Sequence, residues 1–317
     1  MPGDELMTNN NQATAEPMLV VGTLALDSVE TPFGTVADVL GGAACYAATA
    51  ASFFTRVRMV GAVGTDFPPE HLDLLRSHGI DTDGVQIQEG RTFRWGGYYE
   101  YDLNQAHTVS TELNVFEHYQ PELPAHYRST PYVFLANVDP VVQLAALDQM
   151  EQPKLVACDT MNYWIAGKRD AVVEVLRRVQ IALFNDAEVR QLCGMTSLLG
   201  AAREVLSWGP EAVIVKKGEH GALLCTKHFC FSAPGFPLEE IKDPTGAGDS
   251  FAGGLIGYLA YTNDICEENL RKAVVHGSVM ASYNVEDFSL RRLVSLTPDD
   301  ILARYREFKR LSHFEDI

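Results

Sequence analysis

The sequence predicts an α/β fold: a doubly wound, mostly parallel sheet with helices on both faces, plus a small β lid. Three observations lead there. Short apolar runs at Tyr132–Ala136, Leu155–Cys158, Ile181–Phe184 and Ala212–Val215 alternate with helical segments, the pattern of a parallel sheet covered on both sides. Residues 85–114 break that pattern. They alternate, are rich in aromatic and β-branched side chains and lack a helical period, which reads as short antiparallel strands. Polar residues also recur where the parallel runs end: Asn137, Asp159 with Asn162, Asn185 with Glu188, and Lys216 with Lys217. Open α/β sheets bind ligands in such a crevice, outside the carboxyl ends of their strands.

A chain of 317 residues without a linker, repeat or low-complexity block suits one large domain, 17–317, with the lid built from about 24–40 and 85–114. The polar residues 1–16 read as a disordered tail. Lys plus Arg number 25 against 42 for Asp plus Glu, a net charge of −17, which excludes nucleic acid or an anionic membrane as the main partner. A phosphate site in such a chain must rely on local amides and selected cations. The six cysteines form no C-x-x-C pair, no apolar run reaches the length of a membrane span, and the start is not signal-like, so the expected compartment is the cytoplasm.

Along the chain, Met18–Gly22 is a buried strand, and Asp27 lies just past it, where a turn aspartate or a ligand contact would fall. Gly41 and Gly42 open an alanine-rich helix, with Tyr46 in its first turn, whose N-terminus is expected to pack closely and stay open to ligand. Arg58–Val63 is a second strand, followed by a turn at Gly64-Thr65-Asp66 and a helix from near Pro68. In the lid, Phe93, Arg94, Trp95 and Tyr98 are placed to close on a substrate or to meet a second subunit. Asn269–Tyr283 and Pro298–Lys309 read as helices near the end of the chain.

The most informative stretch is Asp243–Gly257, DPTGAGDSFAGGLIG, a glycine-punctuated turn running into a helix. Its first amides lack intrahelical partners and carry partial positive charge, which suits an anion such as phosphate. Asp249 is the odd member there. A carboxylate beside a phosphate site is repulsive unless it serves the chemistry, by taking a proton from an attacking hydroxyl, or is merely a helix cap.

That string closely resembles D-x-T-G-A-G-D-x-F-x-x-G of the ribokinase-like (PfkB) family of carbohydrate and nucleoside kinases, matching at Asp243, Thr245, Gly246, Ala247, Gly248, Asp249, Phe251 and Gly254. The resemblance implies that Asp249 is the catalytic base and that the amides of Gly246, Ala247 and Gly248 form an anion hole. It also implies ATP and Mg²⁺. Asn185-Asp186-Ala187-Glu188 is similar to the family's N-x-x-E element, so Asn185 and Glu188 would organise phosphate and magnesium, Glu188 through water; the same spacing is also that of a capping box. Lys216 to Gly221 resembles the nucleotide loop, with Gly218 and Gly221 in it and Lys216 standing where threonine is common. Thr245 and His276 would belong to the nucleotide site as well. Asp27 would bind sugar hydroxyls, with Gly41, Gly42 and Asn137 on the acceptor side. The family's K⁺ site would fall at Asp243, and its lids suggest a homodimer.

The function that follows is an ATP-dependent phosphotransferase acting on the hydroxymethyl group of a sugar or ribonucleoside. The lean is to a nucleoside, because Tyr46, Phe93, Trp95 and Tyr98 offer flat faces where ribokinase-like sites offer lysine and asparagine. Alternatives are a free-sugar kinase, a non-catalytic sensor of nucleotide or sugar, and a serine hydrolase using Ser250, whose surroundings are one residue short of a nucleophile elbow.

Overall fold

Thirteen strands and ten helices are found in a computed structural model that describes residues 15–313 and 315. In chain order the strands are β1 (Met18–Val21), β2 (Ala25–Thr31), β3 (Gly34–Gly41), β4 (Val57–Gly64), β5 (Ile80–Gln88), β6 (Phe93–Tyr99) and β7 (Ala106–Glu112). There follow β8 (Tyr132–Leu135), β9 (Leu155–Cys158), β10 (Ile181–Asn185), β11 (Ala212–Lys216), β12 (Ala222–Thr226) and β13 (Cys230–Ala233). The helices are α1 (Ala43–Ala51), α2 (Pro69–Ser77), α3 (Pro140–Leu147), α4 (Asn162–Gly167), α5 (Arg169–Leu176), α6 (Asp186–Cys193), α7 (Leu198–Trp208), α8 (Ala247–Thr262), α9 (Glu267–Asn284) and α10 (Pro298–Leu311).

Nine strands form the large sheet in the order β13-β12-β11-β10-β9-β8-β1-β4-β5. From β11 to β5 all neighbours are parallel, and β12 and β13 add an antiparallel hairpin at one edge. The chain leaves β1 toward β4 and β5, then returns to the other side of β1 at β8. The order therefore reverses between β1 and β8, and a crevice opens at their carboxyl ends. Alternation along β1 sends Met18 and Val20 into a core shared with α1, α8, α9 and α10, and Leu19 and Val21 into a second core with α3, α5, α6 and α7. Burial on both faces explains why these strands read as continuous apolar runs.

Close helix packing sets the loops above the sheet. A Cβ on Gly253 of α8 would lie 2.1 Å from the carbonyl oxygen of Ala47 in α1, so only glycine lets the two helices approach this far.

The small sheet has the order β3-β2-β6-β7. Its outer pairs are antiparallel, but β2 and β6 run parallel, which corrects the expectation of antiparallel strands alone. Its expected start at residue 85 is also corrected: β5 continues to Gln88 and pairs with β4, so 85–88 belong to the large sheet. The tail expected at 1–16 lies outside the described residues except for its last two. Those two are fixed, for Ala15 is buried and the Glu16 amide donates to the Ala260 carbonyl. Among the described residues, no helix is long and apolar enough to cross a membrane.

Candidate active site

Three loops meet above the carboxyl ends of β1, β8, β9, β10 and β11. The first is the turn into α8. Gly246 takes a left-handed conformation (φ +77°), and a Cβ there would lie 2.4 Å from the ring of Tyr46. Glycine is therefore required twice over, for its backbone and for its close approach. Asn284, fully buried in the last turn of α9, donates to the Thr245 carbonyl (2.7 Å) and accepts from the Ser250 hydroxyl (3.2 Å), pinning the turn from behind. α8 has no side-chain cap. The Ala247 amide donates to Pro244 (3.1 Å), whereas the amides of Gly246 and Gly248 have no protein acceptor among the described residues. Of the three amides expected to form an anion hole, two are thus without a protein acceptor among the described residues.

Asp249 sits in the first turn of α8. Burial raises its carboxyl pKa to about 7; Asp159 pushes further up, while the Lys216 ammonium and the residue's own amide pull down. Asp27 is also raised to about 7, by burial first and then by Asp243 and Asp249, against a lowering hydrogen bond from the Gly42 amide. Gly41 makes room for that carboxylate, since a Cβ there would fall 1.9 Å from Asp27 Oδ2. The structure therefore brings Asp27, Gly41 and Gly42 together. The N-terminus of α1 is not open, however. Thr23 satisfies it, with its hydroxyl accepting from the Ala43 amide (3.1 Å) and its carbonyl from the Ala44 amide (3.0 Å).

On the other side, Asn185 and Glu188 form a reciprocal capping box at α6, with both bonds at 2.7 Å. Glu188 is buried and its carboxyl is driven up by burial and by Asp159. Lys216, at the end of β11, makes a 2.5 Å ion pair with Asp159, at the end of β9. Burial pulls the Lys216 ammonium down, yet Asp159, Glu188 and Asp249 together hold it above its ordinary value. A Cβ on Gly248 would lie 3.0 Å from Lys216 Nζ. Gly218 and Gly221 both have positive φ, +56° and +81°. Above Gly218 sits Asn104 from the β6–β7 hairpin; it accepts from the Glu219 amide (3.0 Å) and donates to the Glu219 carboxylate (2.8 Å). Thr245 donates to the Tyr99 hydroxyl at the end of β6 (3.3 Å), so the hairpin touches both loops.

Beyond the carboxyl ends of β1 and β8 lies a mostly apolar pocket lined by Thr23, Phe93, Phe116, Asn137, Met161 and Trp164 among others. The amide of Asn137 shapes it, accepting from the Trp164 indole (3.1 Å) and donating to the Met161 sulfur (3.2 Å). Phe93 and Asn137 are on its lining. Trp95 is not: its ring lies against Gly97 and its indole donates to Thr108 (3.3 Å). Nor does Tyr46 offer a free face, being buried beneath Gly246, and Tyr98 stacks on His107. Arg94 is held by ion pairs to Asp38 and Asp66 and tethers the small sheet. Met161 and Trp164 escaped sequence reading because a turn separates them from the strand end at Asp159.

His276 departs furthest from expectation. It is buried between the rings of Tyr258 (4.3 Å) and Tyr305 (4.4 Å), against the edge of Phe54, and burial lowers its pKa to about 3. It is a core residue of the helical layer and not part of a nucleotide site. Ser250 is fully buried, with its hydroxyl given to Asn284, which closes it to an acyl substrate and removes the hydrolase reading.

Comparison with known proteins agrees with this geometry. Residues 20–295 match the model of the pfkB family carbohydrate kinases. A cytidine kinase of Thermococcus kodakarensis is 32% identical over 248 residues, 76% of this chain and 88% of that protein. Among solved structures, the nucleoside kinase of Burkholderia thailandensis in complex with inosine superposes with a TM-score of 0.75 at 19% identity, covering 92% of this chain and 98% of that one. The fructokinase of Vibrio cholerae O395, in its fructose, ADP and calcium ion bound form, gives 0.73 at 18% identity, covering 93% and 99%. With the family model spanning most of its length and a relative 32% identical over three quarters of it, the chain belongs to the pfkB family of carbohydrate kinases.

Proposed function

We propose that this kinase transfers the γ-phosphoryl group of ATP to the hydroxymethyl oxygen of a ribonucleoside. The observation that carries the reading is the apolar patch beyond the ends of β1 and β8, whose cavity of about 20 Å³ has to open to admit a base. Phe93, Phe116, Met161 and Trp164 present apolar faces that suit a base, beside the polar groups of Thr23, Asn137 and Asp139 on the same lining. The cytidine kinase relative and the inosine-bound neighbour support the same substrate class.

In this reading Asp27 holds ribose hydroxyls, and ionised Asp249 accepts the proton of the hydroxymethyl group as its oxygen attacks phosphorus. The amides of Gly246 and Gly248 meet the charge on the transferring group. Gly218, Gly221 and Thr245 border the nucleotide. Magnesium, when bound, neutralises phosphate charge. Glu188 fits a water-mediated hold on it, since a buried carboxylate near Asp159 and Asp249 favours a nearby cation. Asp243 fits potassium: it is 1% exposed, and its Oδ2 has no hydrogen-bond partner among the described residues.

The test is an ADP-release assay across nucleosides and free sugars, repeated with Trp164→Ala. The expected result is turnover with a nucleoside, with KM for it raised about tenfold by the variant, equivalent to ~1.4 kcal/mol of lost ring contact. Turnover of free hexoses with no nucleoside accepted would reassign the enzyme to sugars.

A further inference from the structure

Two sources of positive potential converge on one point. The N-terminus of α8 presents the unpaired amides of Gly246 and Gly248, and the Lys216 ammonium lies against the α-carbon of Gly248. A cation at a helix N-terminus is repelled by the helix dipole, so a lysine with freedom to choose would leave. Lys216 has no such freedom. Its Nζ is held by Asp159 at 2.5 Å, with the two side chains only 15% and 4% exposed. A buried ion pair of this kind rarely stabilises a fold more than apolar residues of the same size would. Its location, beneath an anion hole and between the ends of β9 and β11, calls for a ligand to complete it.

Building on the kinase reading, we infer that Asp159 and Lys216 form a charge clamp: Lys216 is a third donor of the anion hole, aimed at the transferring phosphoryl group, and Asp159 is the positioning residue that aims it. Asp159 lies at the carboxyl end of β9 and Lys216 at that of β11, with β10 between them. The strands of a rigid parallel sheet therefore fix the ammonium more firmly than a loop would. Because charge on the equatorial oxygens of the phosphoryl group is shared by donors already in place, the clamp favours the transition state over bound ADP.

The test compares wild type with Asp159→Asn/Lys216→Met, a double variant that removes the buried ion pair as a neutral unit, its fold checked by circular dichroism and melting. Calorimetry reads ADP affinity with magnesium, with and without aluminium fluoride as a mimic of the transferring group, beside kcat and KM for ATP. The double variant is expected to bind ADP within about threefold of wild type. It should lose most of the tightening that fluoride gives, and its kcat should fall about 10²-fold, the typical effect of removing one oxyanion donor. Asp159→Asn alone should lower kcat more than it raises KM, and Asp159→Glu should restore part of it. A double variant that keeps wild-type kcat and fluoride tightening makes the pair a structural ion pair and overturns the clamp. A wild type that turns over no nucleoside or sugar overturns the kinase reading, and the clamp falls with it.

Discussion

Asp249 is placed where ionisation is disfavoured, whereas the proposed base role needs it ionised. Its folded-state pKa of about 7 exceeds the ordinary value of 3.8, so between those values the folded protein binds more protons than the unfolded chain. The stability this gives is present at low pH and is lost as pH rises through about 7. Asp249→Asn should thus melt higher than wild type at pH 8, with the gap narrowing at pH 5 and closing only below 3.8, while turnover falls at least about 10²-fold. Wild-type kcat/KM should decline as pH drops below about 7. Identical melting curves at both pH values would remove the argument. The string around Asp249 was legible in sequence because turn glycines, amides and carboxylate are contiguous. Asn284, which pins the same turn, was not legible, because 39 residues separate it from the carbonyl it holds.

Elements were legible where one physical cause dominated. Two-sided burial made β8 to β11 visible as apolar runs, but the short β12–β13 hairpin, half-exposed along its outer strand, gave no comparable pattern. The expected nucleotide role of His276 failed for a related reason. Its stacking partners come from α8 and α10, far away in the chain, and only the packed helical layer brings them together. Burial, with Lys272 adding to it, holds His276 neutral to about pH 3, against an ordinary value of 6.5, so the unfolded chain binds the extra proton in that window. Stability therefore falls as pH drops below 6.5, by at most about 1.4 kcal/mol per pH unit. Denaturant titrations at pH 7 and 5 should show His276→Phe losing less than wild type over that range, with KM for ATP unmoved. A raised KM would return the residue to the nucleotide site.

At the scale of the molecule, the sheet fixes one wall of the crevice and the small sheet supplies the other. The general position of that crevice followed from strands ending in polar residues. The identity of its apolar lining did not, since β6, the end of β8 and α4 meet there only after the chain has crossed β1. The hairpin that carries Asn104 closes the arrangement, resting on Glu219 beside the glycine loop while its root at Phe93 borders the apolar pocket. One segment thus touches both halves of the crevice, and thermodynamics makes any coupling through it symmetric: any factor by which the nucleoside tightens ADP must equal the factor by which ADP tightens the nucleoside. Calorimetry of each ligand with and without the other should give one shared factor greater than one, and Asn104→Ala should bring it toward one without abolishing either binding event. If that factor exceeds one, either ligand bound first prepares the site for the other, and the equilibrium complex is the same by both routes.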